Sequence, residues 1–76
     1  MVKAFGEEFC LQRKRLDLSQ EAVGKSIGVS RTYITLIEGG KRLPGKKNLL
    51  KIASALKIQK DTVINWYLKE LRNKLS

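Results

Sequence analysis

Residues 19–38 read SQEAVGKSIGVSRTYITLIE, two short helical runs that meet at a sharp corner with a glycine at the joint. Ser19 is placed to cap a helix beginning at Gln20, whose Val23 and Ile27 fall on one face. Gly28 can take the left-handed conformation that ends that run, and Ser30 can cap the next, over 31–38. On a helical wheel Ser30, Ile34 and Ile37 share one arc, while Arg31, Thr32, Thr35 and Leu36 occupy the opposite one. The first arc holds apolar anchors for a core. The second offers a guanidinium, two hydroxyls and an exposed leucine. Either that second arc is an ordinary amphipathic surface, or it faces something that needs this mixture. The base edges of a DNA major groove need it: a bidentate donor for guanine, small hydroxyls, and an apolar contact for a thymine methyl.

The rest of the chain also reads as helix. Phe5 and Phe9 lie four apart within 3–15; Leu49, Ile52, Ala53 and Leu56 recur at helical spacing; a last helix is expected over about 60–74. No strand alternation, internal repeat or low-complexity segment interrupts this pattern, and the one proline, Pro44, sits in the loop GGKRLPGK. The expectation is a single all-α domain over 1–76, built of five short helices with tight connections.

Composition narrows the chemistry. With 76 residues the chain buries only about 60% of its unfolded surface and is often marginal alone. A single cysteine allows no internal disulfide, which points to a reducing cytosol. No apolar run approaches a membrane span, and the N-terminus lacks a signal-peptide core. Histidine is absent, and with it the usual metal ligand and general base. Together with the absence of a carboxylate cluster and of a phosphate-cradling glycine loop at the required spacing, this speaks against an enzyme, a metal site or a cofactor. The net charge is +9, of which the second half, 39–76, carries +8. Seven basic residues and no acid fall within 41–60: Lys41, Arg42, Lys46, Lys47, Lys51, Lys57 and Lys60. Such a run is commonly only a solvated surface; directly after the corner motif it suggests a polyanion partner. Cys10 reads as a small core or boundary residue, with a redox switch as the sharper alternative.

One set of positions is shared with a known family. Leu18-Ser19-Gln20-Glu21, Gly28-Val29-Ser30, Ile34, Ile37-Glu38, Gly40-Lys41, Pro44 and Leu49-Leu50-Lys51-Ile52-Ala53 through Leu56 resemble the phage repressor and Cro type of helix-turn-helix domain, the XRE-like family. The resemblance runs from Phe5 to Ile58, and RTYI also resembles the recognition helix of restriction–modification controller proteins. It implies a five-helix lambda-repressor-like fold with the helix-turn-helix at 19–38. Base contacts would come from Arg31, Thr32, Thr35 and Leu36. Phosphate contacts would come from Ser19, Gln20, Ser30, Tyr33, Gly40, Lys41, Arg42 and Lys46, and Arg13 would pair with Glu38. A cytoplasmic protein of bacterial, phage or plasmid context, acting on double-stranded DNA without a small-molecule ligand, is the implied setting.

Several positions depart from the pattern. Gly24 stands where the family prefers alanine, Gln12 and Lys46 where it often has leucine, and Asp17 and Lys57 at turns it often gives to glycine. The last helix adds an assembly expectation. Ile64, Leu68, Leu71 and Leu75 follow a 4-3-4 spacing, and Val63, Trp66 and Tyr67 broaden that face. A homodimer seam there would suit an inverted-repeat operator, with recognition helices about 34 Å apart. Trp66 and Tyr67 could instead stack on bases, or belong to the core. The reading is thus a sequence-specific DNA-binding transcriptional regulator, with a protein-interaction module on the same fold as the alternative.

Overall fold

The structure, a computed structural model, describes the backbone of residues 4–75 and the side chains of residues 4–72. Its elements are α1 (Phe5–Arg15), α2 (Gln20–Ile27), α3 (Arg31–Glu38), α4 (Lys46–Ala55) and α5 (Lys60–Leu75), with no strand among the described residues. The expected last helix thus runs to 75 rather than 74. No helix among the described residues is long and apolar enough to cross a membrane.

Local chemistry sets the helix ends. Glu7 and Glu8 lie in the first turn of α1, and Arg13, Lys14 and Arg15 in its last, each sign matched to the helix dipole. The hydroxyls of Ser19 and Ser30 accept the backbone N–H of Ala22 and Tyr33 at 3.0 and 3.1 Å, so both corner helices carry side-chain caps. Gly28 is left-handed at φ 86°, where the chain turns between them. α1 and α4 end in the same way, with Asp17 at φ 58° and Lys57 at φ 56° in place of glycine. Their turns close through Leu18 N–H to the Arg13 carbonyl and Ile58 N–H to the Ala53 carbonyl, at 3.2 and 3.0 Å.

α2 packs on α3 and α4, α1 packs on α3 and α5, and α4 packs on α5. Every helix sends side chains into one core: Phe5 and Phe9 from α1, Val23 and Ile27 from α2, Ile34 and Ile37 from α3, Leu49, Ile52 and Ala53 from α4, and Val63 from α5. Trp66 and Tyr67 stand edge-on to Phe5, with ring centroids 6.1 and 6.4 Å away, and so seat α5 on α1. Val63 is fully buried and these two aromatics are half-buried, whereas Ile64 and Leu68 are exposed. The apolar band that the sequence pattern draws along α5 is therefore divided. Its aromatic half covers the domain's own Phe5, and a narrower aliphatic strip faces outward. Leu71 is half-buried, and the side chain of Leu75 lies outside the described residues.

Gln12, at a position where the family often has leucine, is half-buried, and its Nε2 donates to the Leu56 carbonyl at 3.1 Å. A polar side chain there satisfies the end of α4, where a leucine would add packing but leave that carbonyl to other partners.

Lys57 holds a left-handed backbone conformation. A side chain in that conformation costs roughly 1–2 kcal/mol, and glycine returns roughly 0.4–1 kcal/mol of this through the entropy of its unfolded chain. Lys57→Gly should therefore raise the midpoint of urea unfolding by a stabilisation of about 0.5–1 kcal/mol, with the slope unchanged. A lower midpoint would mean that Lys57 makes a compensating contact.

Candidate nucleic-acid interface

α3 is an amphipathic helix of eight residues. Ile34 and Ile37 are buried in the core, while Arg31, Thr32, Thr35 and Leu36 are exposed on the far side. The four residues expected to face bases thus share one accessible surface.

Three devices hold this helix. The first is an ion pair. Arg13 reaches from α1 and grips Glu38, the last residue of α3, with Nε to Oε2 at 2.6 Å and Nη2 to Oε1 at 3.1 Å. Its Nη1 donates to the Leu18 carbonyl at 2.8 Å, so one guanidinium ties α1, the turn before α2, and the end of α3. The side chains are only 13% and 8% exposed. Burial pushes the Glu38 carboxyl up, but the hydrogen bonds from Arg13 and Gln20 outweigh it and hold the group below its ordinary value. The hydrogen bond to Glu38 raises Arg13 in turn.

The second device is close backbone approach. A Cβ on Gly6 would lie 2.4 Å from the Ile37 carbonyl oxygen and 2.6 Å from that of Glu38, so α1 rests directly on the end of α3. No side chain fits there. At Gly24 a Cβ would lie 2.8 Å from the Val29 carbonyl oxygen, so the glycine lets the corner close more tightly than alanine would.

The third device is a polar chain through Gln20, the first residue of α2. Its Nε2 donates to Glu38 Oε1 at 3.1 Å, and its Oε1 accepts from the Thr35 hydroxyl at 3.1 Å. One amide proton of Gln20 remains for a further acceptor. Arg13, Ser19, Gln20, Glu21 and Arg31 line an open cleft of about 360 Å³ at this end of the corner. A larger groove of about 540 Å³ lies between α4 and α5, around Leu50, Ala53 and Ile58, away from these groups.

On the other flank, Arg42 lies over the Tyr33 ring, 5.0 Å from its centroid. The Tyr33 hydroxyl accepts from Asn48 Nδ2 at 3.1 Å, which leaves its own proton to donate. Gly40 turns the chain at φ 73° beyond α3, and Lys41, Arg42 and Lys46 are exposed. The helix dipoles add to the charge pattern. α1, α2 and α5 each carry an acid in the first turn; α3 and α4 carry none, and instead begin with Arg31 and with Lys46 and Lys47. Cations at a helix N-terminus are unfavourable by roughly 0.3–1 kcal/mol each, a cost that an anion seated there would remove.

Among the described residues no group of three or more His, Cys, Asp or Glu is placed to hold a metal ion. Cys10 is half-buried with its Sγ 3.8 Å from Arg13 Nη2, at the edge of the ion pair.

The model of the family described as helix-turn-helix matches residues 11–63. The chain belongs to the helix-turn-helix family. Among relatives within it, the control protein C.MunI of Mycoplasma sp is 44% identical over 48 residues, covering 63% of this chain and 65% of that protein. Repressor protein C2 of Salmonella phage P22 is 34% identical over 63 residues, covering 83% of this chain but 29% of the repressor. The chain spans about half the length, or less, of the phage relatives it matches. Among solved structures, the P22 c2 repressor in complex with a synthetic operator aligns with a TM-score of 0.77 at 34% identity, over 82% of this chain and 94% of that one. The restriction-modification controller protein C.AhdI from Aeromonas hydrophila aligns with a TM-score of 0.73 at 34% identity, over 78% and 89%. The helix-turn-helix assignment and the five-helix repressor fold expected from the sequence are both met.

Gly6 and the Gln20–Thr35 link escape sequence reading. Gly6 announces nothing locally, since its constraint comes from a carbonyl some thirty positions away. The Gln20 amide resembles any polar first-turn residue until Glu38 and Thr35 are brought to it.

Because the Glu38 carboxyl is lowered on folding, the stability it contributes is fully present above the ordinary value of 4.5 and is lost as the pH falls below that. Glu38→Gln should destabilise the protein near neutrality by on the order of 3 kcal/mol, because Arg13 is left unpaired. Its melting temperature should also fall less steeply than that of the parent between about pH 5 and about pH 3. Parallel curves would place the acid transition elsewhere.

Proposed function

We propose that the chain is a sequence-specific DNA-binding transcriptional regulator that reads an inverted-repeat operator as a homodimer. The observation that carries this reading is the exposed face of Arg31, Thr32, Thr35 and Leu36, presented by a helix whose opposite face and end are fixed in the core. In the reading, α3 lies in the major groove. Arg31 donates two hydrogen bonds to a guanine O6 and N7, the hydroxyls of Thr32 and Thr35 meet base edges, and Leu36 covers a thymine methyl.

Around that helix, phosphates occupy the places where the protein's own charges are uncompensated. One strand lies along Lys41, Arg42, the Tyr33 hydroxyl and the start of α4 at Lys46. The other meets the capped start of α2 at Ser19 and Gln20, and the start of α3 at Ser30. Ser19 and Ser30 spend lone pairs on their caps and keep a proton to donate. The operator-bound solved neighbour, at 34% identity, supports this orientation by likeness.

A dimer supplies what one short helix lacks, since eight residues read only a few base pairs. Ile64 and Leu68 lie four apart and exposed on α5, braced from behind by Trp66 and Tyr67 on Phe5, and they are the proposed centre of the seam. Leu71 extends that strip, and Leu75 follows it in sequence. The place of action is the bacterial cytoplasm, where such DNA is found.

Selection from a random DNA pool should yield a two-fold symmetric site, and variants should then separate by type. Arg31→Ala should cost about 1–3 kcal/mol on the selected site and relax one base position. Lys41→Ala should weaken selected and random DNA alike and lower the salt slope by about one. Leu68→Asp should sediment as a monomer and lose the symmetric site. Equal losses of Arg31→Ala on selected and random DNA would contradict the assignment of α3.

A further inference from the structure

Thr35 carries more information than its exposure suggests. Its Oγ1 lies 3.1 Å from Gln20 Oε1 and 3.1 Å from the Arg31 carbonyl oxygen. Both neighbours are acceptors. The Gln20 amide is not free to turn over, because its other end faces Glu38 Oε1 at 3.1 Å and a carboxylate oxygen only accepts. The amide nitrogen must therefore point at Glu38 and the amide oxygen at Thr35. Glu38 is fixed in its turn by the paired hydrogen bonds from Arg13. A hydroxyl has one proton and two lone pairs. Whichever inward acceptor takes the proton of Thr35, none is left for the outward side.

We infer that Thr35 reads DNA as a hydrogen-bond acceptor, selecting an amino base, adenine or cytosine, over a keto base, guanine or thymine, at the position it faces, and that Gln20 is the positioning residue that sets this polarity. The inference rests on the proposal that α3 faces the bases. In the major groove adenine N6 and cytosine N4 are donors, whereas guanine O6 and thymine O4 are acceptors. An outward lone pair meets the first two with a hydrogen bond. Against the last two it sets oxygen against oxygen, with both acceptors stripped of water. A free threonine could serve either kind of base by rotating its hydroxyl. The chain from Arg13 through Glu38 and Gln20 removes that choice and converts a permissive side chain into a discriminating one. The backbone carbonyl of Arg31 alone would hold the proton less firmly, since the Thr35 backbone N–H of the helix already engages it.

The test begins with selected sites for the parent protein, Thr35→Val and Gln20→Ala, each drawn from the same random duplex pool. Thr35→Val keeps the branched shape without the hydroxyl, and the position at which it relaxes preference is the one Thr35 faces. The parent should prefer adenine or cytosine there. Replacing that base with the analogue that lacks the exocyclic amine should weaken parent binding roughly three- to tenfold and leave Thr35→Val indifferent. Gln20→Ala should lower the amino-to-keto ratio at that position alone, whatever it does to overall affinity; a purely structural role would weaken every position together. Melting curves establish that the variants are folded, with Thr35→Ala read out in the same way should the valine variant not fold. A keto base at the relaxed position, or no position relaxed by Thr35→Val, overturns the polarity while leaving the DNA-binding reading intact. A pool that yields no preferred sequence overturns that reading, and the polarity with it.

Discussion

The interaction on which the rest of the molecule depends is the grip of Arg13 on Glu38. A helix of eight residues is too short to be stable in water on its own, so whatever α3 presents must be held by its neighbours. Ile34 and Ile37 hold its inner face, with Tyr33 packed at the edge of the core, but apolar contacts are non-directional and do not by themselves fix its orientation. The guanidinium removes that freedom at the C-terminal end, because a bidentate pair is directional as well as strong. Gly6 adds a hard stop, with backbone against backbone. Half-buried Gln20 then carries the constraint from Glu38 to the exposed Thr35.

Electrostatics runs against stability in the same region. α1, α2 and α5 each carry an acid in the first turn, in α5 beside Lys60, while the first turns of α3 and α4 carry cations and no acid. Most of the net charge lies in the second half of the chain. A monomer of this size has little stability to spare, and the charges that oppose the dipoles subtract from it. In the proposed complex, phosphates would bring the local charge into balance, and binding would stabilise the fold by linkage. Arg42 stacked on Tyr33 fits the same logic, because the guanidinium is placed beforehand and loses less freedom when a phosphate arrives.

Much of this was legible in the sequence where the physics is local. Ser19, Gly28 and Ser30 mark the corner because capping and left-handed turning depend on single residues, and α2 begins and ends, and α3 begins, where those residues say. Asp17 and Lys57 stand at turns by analogy alone, and their positive φ values are a structural finding. What depends on partners far along the chain was hidden. Gly6 is constrained by Ile37 and Glu38, Gln12 by Leu56, and Tyr33 by Asn48 and Arg42. Trp66 and Tyr67 show the limit of periodicity: spacing placed them on an apolar stripe, but only packing assigns them to Phe5, leaving Ile64 and Leu68 as the outward strip.

The claim that the buried pair orients the reading surface is tested most directly by a double-mutant cycle on specificity. Arg13→Gln, Glu38→Gln and the pair together would be compared for the ratio of affinities for a selected site and for random DNA, at a temperature where all remain folded. Each single change should lower that ratio by roughly tenfold, and the double variant should lower it little further, because both break one interaction. Losses that multiply in the double variant, or single variants that keep the full ratio, would contradict the account.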